Sequence, residues 1–478
     1  MSAPPLPIDL GARTFSLDDS LRFAALCGDV NPMHLDPIAA RRLLTGQPVV
    51  HGVHTLITAL DAWLGQGGAA PRALDCDFTQ AVSVGDRVQL VATHNAPGGE
   101  TCLTATSGER VCMSADFVAA REQTALALEG APEDFSMRAQ PDERAPGDWS
   151  GRCGRIVPRA SDMAARFPHA CATLGVDAVR ALGALSYMVG MVCPGLHSIF
   201  ASLRVDFADA GVGAALRFRV ERYDPRFRLL IVAFDGALHG DLRAFVRPTP
   251  PAQPSMAALA SRVEAGEFVG TRSVVIGGSR GLGELTAKLL AAGGSDVLVT
   301  YAAGAADAAR VAAEINAAAR GRCRTQPYLL GITDPDTLRS GGPAPDALFC
   351  FATPRIARRT ARAFDAELFA DFSAAYAGEL ARLCVWADAL HAPRPVRVFN
   401  PSSVYVAERP RGMTEYAMAK AAAEVLLEDL ARTLRGVRIV SERLPMLETD
   451  QTAAVRPPKT ASNIEVLLPV VRRVMAAA

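Results

Sequence analysis

Three side chains toward the C-terminal end of this 478-residue chain suit carbonyl chemistry. Ser403 stands thirteen positions before Tyr416, and Tyr416-Ala-Met-Ala-Lys420 opens a long alanine-rich helical pattern in which i and i+4 share a face. A phenol near pKa 10 is a poor acid or base at neutral pH, and a neighbouring ammonium favours its ionised form. With a serine hydroxyl holding the carbonyl oxygen, such a trio polarises a ketone and protonates the alkoxide as hydride arrives. A second polar pair, Asp29 and His34, lies five positions apart on the bend Asp29-Val-Asn31-Pro32-Met-His34 between two helical patterns. So placed, an aspartate and a histidine hold a water between them, deprotonating it while a proton reaches the substrate α-carbon, as hydration of a conjugated thioester requires. Spacing alone is served equally well by Asp29 as a helix or turn cap with His34 an incidental surface residue. His51 and His54 are three apart on a helix without a matching carboxylate cluster, so no metal site is expected.

A hydride donor must be held beside the first trio. The stretch SVVIGGSRGLGELTAKLLAAGG, residues 273 to 294, runs from a β-branched strand through a glycine cluster into a helical pattern. Gly277, Gly281 and Gly283 are spaced G-x3-G-x-G around Ser279, Arg280 and Leu282. A dinucleotide pyrophosphate needs free backbone N–H groups at a helix N-terminus, and side chains in that turn would hold the phosphates away. A glycine-rich turn opening a packing helix would explain the cluster alone, but more follows. DVLVTYAAG (296 to 304), DALFCFAT (346 to 353) and VRVFNPSSV (396 to 404) read as buried strands separated by helical stretches, the rhythm of a parallel sheet with crossovers.

These residues resemble the short-chain dehydrogenase/reductase family, through IGGSRGLG at 276 to 283, SSV at 402 to 404, YAMAK at 416 to 420 and RLPMLETDQT at 443 to 452. The resemblance implies Tyr416 as general acid/base, Ser403 orienting the carbonyl, and Lys420 lowering the Tyr416 pKa and holding the nicotinamide ribose. It places Thr449 against the nicotinamide carboxamide or the diphosphate. NAD use calls for an acidic residue near the end of the second strand. Val299-Thr300-Tyr301 offers none, and Arg280 is placed where a 2′-phosphate would reach it, so NADPH is expected over NADH; an ordinary solvated arginine is the alternative. Departures are expected as well. Cys350-Phe351-Ala352-Thr353 replaces the family's asparagine-alanine-glycine sequence, and the family's catalytic asparagine, which holds a water in a proton relay from the lysine, is missing from FADFSAAYAGEL (369 to 380). Ala375 or Tyr376 stands near its place, with Tyr376 the candidate substitute. The connection 331 to 345 is too short for a full crossover helix, and no closing strand follows LLPVVRRVMAAA, so the parallel sheet is expected to be shortened.

Nearer the start, ALDCDFTQAVSVGDRVQLVATHN and GETCLTATSGERVCMSADFVAA read as alternating strands after a largely apolar helix, an α+β layout. GDVNPMHLDPIAA followed by VVHG resembles the MaoC-like hotdog dehydratases and (R)-specific enoyl-CoA hydratases over about residues 10 to 120. The resemblance makes Asp29 and His34 the catalytic pair, with Asn31 supporting the loop and Gly52 at the N-terminal end of the hotdog helix, whose backbone N–H receives the thioester oxygen. Residues 150 to 248 look like a degenerate second hotdog, with ASDMAARFPHACATLG (160 to 175) lacking the pair. His169, His197 and His239 are therefore expected to be structural. The expected organisation is multidomain: a MaoC-like hotdog at 1 to 135, its degenerate copy at 150 to 248, a proline-rich linker at 249 to 268, and a Rossmann-type NADP-binding domain at 269 to 478. The stretch 121 to 151 reads as a boundary or one long surface loop.

Composition bounds the partners. Half the residues are hydrophobic, and 50 acidic residues balance 50 Lys and Arg, which gives no electrostatic reason to expect nucleic acid or an acidic membrane. The apolar stretches are short and broken by glycine and proline, so no membrane span is expected. MSAPPLPIDLGARTF lacks the pattern of a secretory signal, and ten cysteines at irregular spacing without a CxxC pair suit buried thiols in a reducing cytoplasm. A ketoreductase and a dehydratase on one chain would act consecutively, from 3-oxoacyl through 3-hydroxyacyl to trans-2-enoyl thioester. The acyl group would ride on acyl carrier protein or coenzyme A in fatty acid or polyketide-type metabolism, and a homo-oligomer is compatible with this reading. Two other readings stand: one active domain with the other structural, or a non-catalytic binding or assembly module.

Overall fold

The computed structural model describes residues 7–43, 45–95, 100–122, 126–127, 132–144, 149–207, 213–356, 364–450, 452 and 459–477. They fall into two units that divide between Thr249 and Pro250. In the first, period-two alternation of apolar and polar residues builds a single eleven-stranded sheet. Its strands are β1 (Pro7–Thr14), β2 (Ala73–Phe78), β3 (Arg87–Asn95), β4 (Glu100–Ser107), β5 (Arg110–Val118), β6 (Glu133–Asp134), β7 (Cys153–Ile156), β8 (Ser198–Phe207), β9 (Leu216–Asp224), β10 (Leu229–Gly236) and β11 (Leu238–Val246). The order is β1-β3-β4-β5-β2-β8-β11-β10-β9-β7-β6, so β2 and β8 join two similarly wound halves through an antiparallel seam running from Ala73↔Asp206 to Asp77↔Ser202.

Each half packs its sheet on a buried helix, Gly52–Gly65 in the first and Val176–Tyr187 in the second, the latter continuing into a π-helical turn at Met188–Val192. This is an α+β double hotdog. The two lobes expected from composition share one hydrophobic core, because Leu74 and Cys76 on β2 and Leu203 and Val205 on β8 carry the inward alternation straight across the seam. Arg121 spans the seam, pairing with Asp75 and, at 2.9 Å, with Asp206. Parts of the 121 to 151 stretch lie outside the described residues; within it, Phe135 and Trp149 are fully buried, so those portions are core and not surface loop. Among the described residues no single helix is long and apolar enough to cross a membrane, and the one bent pair that passes on composition, Pro168–Leu174 with Val176–Val192, supplies core residues to the second hotdog.

The second unit is a parallel sheet of β12 (Arg272–Ile276), β13 (Asp296–Tyr301), β14 (Cys323–Pro327), β15 (Ala347–Cys350), β16 (Val396–Ser403) and β17 (Val437–Leu444), ordered β14-β13-β12-β15-β16-β17. Every neighbouring pair is parallel. That doubly wound order reverses between β12 and β15, the place where such sheets open a crevice at their carboxyl ends. One face packs the helices Gly281–Ala292 and Asn463–Ala476, the other the helix Glu379–Ala389. The β14 to β15 connection carries only a 3₁₀ turn, Pro335–Arg339. The stretch expected as a linker belongs to this unit instead: Met256, Leu259, Val263 and Phe268 are buried in its core. Its proline and small-residue content imitates a flexible tether, while the apolar spacing that docks it is sparse. The buried Lys288 fastens it further, bonding the Pro254 carbonyl and pairing with Glu284 and Glu314 at 2.8 Å each.

Candidate active sites

In the second unit the chain leaves β12 at Ile276 and turns through the glycine cluster. Gly277 has φ of 78°, and a Cβ there would lie 2.6 Å from the Ala352 nitrogen; Gly283 is held so close that its Cβ would meet the Gly277 carbonyl oxygen at 2.3 Å. Gly281 also has positive φ, 59°. Any side chain at these points would fill the loop or force it open. Thr300, at the end of β13, pins the turn: its hydroxyl accepts from Gly277 N–H at 3.3 Å and its carbonyl from Gly278 N–H at 3.1 Å. The helix Gly281–Ala292 begins behind Arg280 without a side-chain cap, so its first N–H groups are left for an anion. A dinucleotide diphosphate fits this cradle. Ser279 is buried in the turn and Leu282 packs on the core.

Arg280 departs from the expectation of a guanidinium waiting for a phosphate or solvated at the surface. Its Nη1 pairs with Asp450 at 2.7 Å, tying the glycine turn to the loop after β17. Thr449 in that loop reaches the same turn, its methyl 4.0 Å from where a Gly281 Cβ would stand.

Ser403 closes β16, and Tyr416 and Lys420 lie one turn apart on the helix Thr414–Thr433. Ser403 bonds the Tyr416 hydroxyl, yet burial dominates and pushes the Tyr416 phenol above its ordinary value. The expected lowering by Lys420 is not what the packing produces. Lys420 is itself buried, which draws its pKa down to about 7. Its Nζ donates to the Pro401 carbonyl at 2.8 Å and sits 5.8 Å from the Tyr416 ring centre. It lies much nearer to Tyr376, 3.6 Å from that ring centre. Tyr376 is carried on a π-helical turn, Ala374–Gly378, in the stretch that lacks the family asparagine. Motif reading missed Glu424, one turn beyond Lys420, which bonds the Ser402 hydroxyl at 2.5 Å and Arg443 at 2.6 Å. Its i+4 spacing from Lys420 was the available signal.

In the first unit the bend residues are buried together. Asp29 Oδ2 stands 3.9 Å from His34 Nε2. His34 Nδ1 is 2.7 Å from the Val49 carbonyl, which accepts only if Nδ1 carries the proton, so in the neutral ring Nε2 faces Asp29 with a lone pair. Asp29 accepts from the Asn31 N–H at 3.2 Å and the Ser186 hydroxyl at 2.8 Å. Asn31 anchors the loop across the seam of the double hotdog, donating to the Gly190 and Gly195 carbonyls at 2.8 and 3.2 Å. Burial raises the Asp29 pKa against the opposing pull of His34, and lowers that of His34 against the pull of Asp29. Both groups are thus moved toward neutrality from opposite sides.

His51, weighed in the sequence only as a metal ligand paired with His54, stacks on the His34 ring at 3.8 Å between centres and donates from Nε2 to the Asp29 carbonyl at 3.1 Å. Asp29, His34 and His51 bring potential metal-ligand atoms within 4.8 Å of one another. The His51 nitrogen that faces the cluster, however, carries a proton for the Asp29 carbonyl and has no lone pair to give. Gly52 follows His51 at the start of the hotdog helix, which has no side-chain cap, and a Cβ on Gly52 would meet the Phe78 ring at 2.9 Å. The second hotdog, expected as a degenerate copy without the pair, supplies Ser186 and the close approach of Gly190, where a Cβ would lie 2.3 Å from Asp29 Oδ1. A glycine inside an apolar helical run was the signal for that contact.

No curated protein matches the sequence. Among solved structures, a 3-oxoacyl (acyl-carrier-protein) reductase from Agrobacterium tumefaciens C58 with NADP bound is 21% identical, covering 44% of this chain and 89% of its own, with a TM-score of 0.40. A short-chain dehydrogenase from Burkholderia cenocepacia J2315 in complex with NADP is 24% identical over 44% and 91%, at 0.37. The landomycin C-6 ketoreductase LanV with bound NADP and rabelomycin is 26% identical over 44% and 90%, at 0.38. At scores this low the Rossmann-type assignment stands on the strand order of the second unit itself. Residues 5–109 match the family model described as MaoC like domain, so the chain carries a MaoC-like domain ahead of its Rossmann-type unit.

Proposed function

We propose that the chain is a bifunctional enzyme, reducing 3-oxoacyl thioesters with NADPH in the second unit and interconverting 3-hydroxyacyl and trans-2-enoyl thioesters in the first. The observation that carries this reading is that one chain holds two sets of reacting groups, Ser403-Tyr416-Lys420 on the same parallel sheet as an uncapped glycine turn and Asp29-His34 next to an uncapped helix N-terminus, whose chemistries are consecutive. A nicotinamide bound at the glycine turn would supply hydride to the carbonyl carbon. Ser403 holds the carbonyl oxygen, and Tyr416, kept protonated by burial, delivers the proton to the same oxygen. On this reading Lys420 holds the ribose, and Thr449, whose methyl nears Gly281, holds the diphosphate end. The absence of a carboxylate at Thr300-Tyr301 favours NADPH over NADH, with a 2′-phosphate competing with Asp450 for Arg280.

In the first unit the Gly52 end of the helix receives the thioester oxygen, His34 Nε2 takes the α-proton, and Asp29, its carboxyl favoured by burial, protonates the departing hydroxyl. Hydration runs the same steps backwards. The carrier is acyl carrier protein or coenzyme A, in fatty acid or polyketide-type metabolism, and the site lies in the cytoplasm on this reading.

The test uses the full chain with acetoacetyl thioester, on coenzyme A and on acyl carrier protein in parallel, and NADPH. NADPH fluorescence changes on mixing, 3-hydroxybutyryl thioester forms, and crotonyl thioester added alone is hydrated. No change in NADPH fluorescence, with no turnover of either substrate, identifies a non-catalytic module; turnover of only one substrate identifies one active unit. A further outcome belongs to Gly190. Its alanine variant pushes a methyl into the Asp29 carboxylate, and crotonyl hydration is expected to fall by about tenfold or more while acetoacetyl reduction keeps its wild-type rate.

A further inference from the structure

The family to which the second unit's motifs point uses an asparagine where this chain has none, and the structure puts something specific in its place. The helix that begins at Ala366 bulges into a π-turn at Ala374–Gly378, and the extra residue in that turn swings Tyr376 inward until it is almost wholly buried. The face of its ring lies 3.6 Å from Lys420 Nζ. Its hydroxyl is hydrogen-bonded to Thr353 Oγ1, and because Thr353 already donates to the Pro354 carbonyl at 2.9 Å, Tyr376 is the donor. The ring is further fixed by parallel stacking on Phe372 at 5.7 Å and an edge contact with Tyr416 at 5.8 Å. Such locking from three sides is more than filling a gap requires.

We infer that Tyr376 is a positioning residue for Lys420: its ring face seats the lysine ammonium by a cation–π contact, in the place where an amide and its water would otherwise hold it, and Thr353 fixes the ring through the tyrosine hydroxyl. The inference rests on the reductase reading for its purpose and on the packing alone for its geometry. A buried ammonium needs compensation, and the groups around this one supply little charge. The Cys350 thiol on β15, the Glu424 carboxylate on the same helix and the Tyr416 phenol surround it. Burial holds the Cys350 thiol up at about 12, so it is uncharged at neutral pH, and Glu424 is engaged with Arg443 and Ser402. The Pro401 carbonyl takes one N–H, Glu424 favours the ammonium although it is shared with Arg443 and Ser402, and the ring quadrupole is the further partner for the charge.

The test reads Lys420 directly, by NMR titration of its side-chain Cε and Nζ in the full chain without cofactor or substrate. The wild-type lysine is expected to titrate at about 7. Tyr376→Leu removes the ring face at similar bulk, and the lysine pKa falls by about one unit, as loss of a desolvated cation–π contact demands. Tyr376→Phe keeps the face and holds the lysine near the wild-type value. The same ranking appears in the alkaline limb of the pH dependence of acetoacetyl reduction, where the ammonium is lost: it moves to lower pH in Tyr376→Leu and stays in Tyr376→Phe. An unchanged lysine titration in a folded Tyr376→Leu protein, or an equal fall in both variants, overturns the inference. Absence of reduction in the wild type would sink the reductase reading and leave the titration result standing by itself.

Discussion

Tyr416→Phe is expected to lower kcat for NADPH-dependent reduction of acetoacetyl thioester by about a thousandfold, near 4 kcal/mol of transition-state stabilisation. The substitution removes one oxygen and leaves the ring that packs edge-on against Phe372 and Tyr376. Ser403 keeps its bond from the Tyr405 N–H at 3.2 Å, so the cradle and the carbonyl-holding hydroxyl remain. NADPH affinity, followed by fluorescence, therefore stays within a factor of about two, and the loss is confined to kcat. Burial raises the Tyr416 pKa, so the wild-type phenol is protonated throughout the neutral range and supplies its proton without a fall in rate between pH 6 and about 8 from this group. The reverse oxidation needs the phenolate and rises with pH over the same interval. Crotonyl hydration is untouched. Full reduction by Tyr416→Phe would remove the basis for assigning the trio.

What was legible in the sequence follows from how locally each feature is determined. The glycine cradle is a covalently continuous stretch in which Gly277, Gly281 and Gly283 answer to backbone geometry within a few residues, so spacing exposes it. Ser403, Tyr416 and Lys420 are fixed by one strand end and one helix face. Asp29, Asn31 and His34 belong to a single bend, and the structure brings them together in the first unit. The parts that escaped depend on distant chain. Ser186 and Gly190 reach Asp29 from more than 150 positions away, and the local sign, a glycine inside an apolar helical run, does not say what that glycine meets. Arg280 reads as an unengaged cation until Asp450 is brought to it across 170 positions. Lys420 was expected to act on Tyr416 because they share a helix face, but the π-turn offers it a closer aromatic face, and desolvation then governs both ionisations. The two hotdog halves fuse for a similar reason: separate motifs mark separate lobes, whereas one sheet results when β2 and β8 pair from Ala73↔Asp206 to Asp77↔Ser202.

Asp29→Asn separates the two roles that spacing left equal. As a turn cap, Asp29 accepts from the Asn31 N–H, and an asparagine oxygen does the same, so stability would be preserved and activity with it. As the acid of a dehydratase, Asp29 needs an ionisable carboxyl, and the amide cannot exchange a proton with the leaving hydroxyl. Crotonyl hydration is then expected to fall by about a hundredfold to ten thousandfold, with the melting temperature nearly unchanged and acetoacetyl reduction at its wild-type rate. The direction of the His34 response gives an independent check. The Asp29 charge supports the His34 imidazolium against burial, so removing it lowers the His34 pKa further, and the residual hydration, which draws its α-proton from His34, falls off on the alkaline side at a lower pH than in the wild type. Hydration that persists at the wild-type rate in Asp29→Asn, with His34 titrating unchanged, would assign Asp29 to the turn and leave the first unit without its acid.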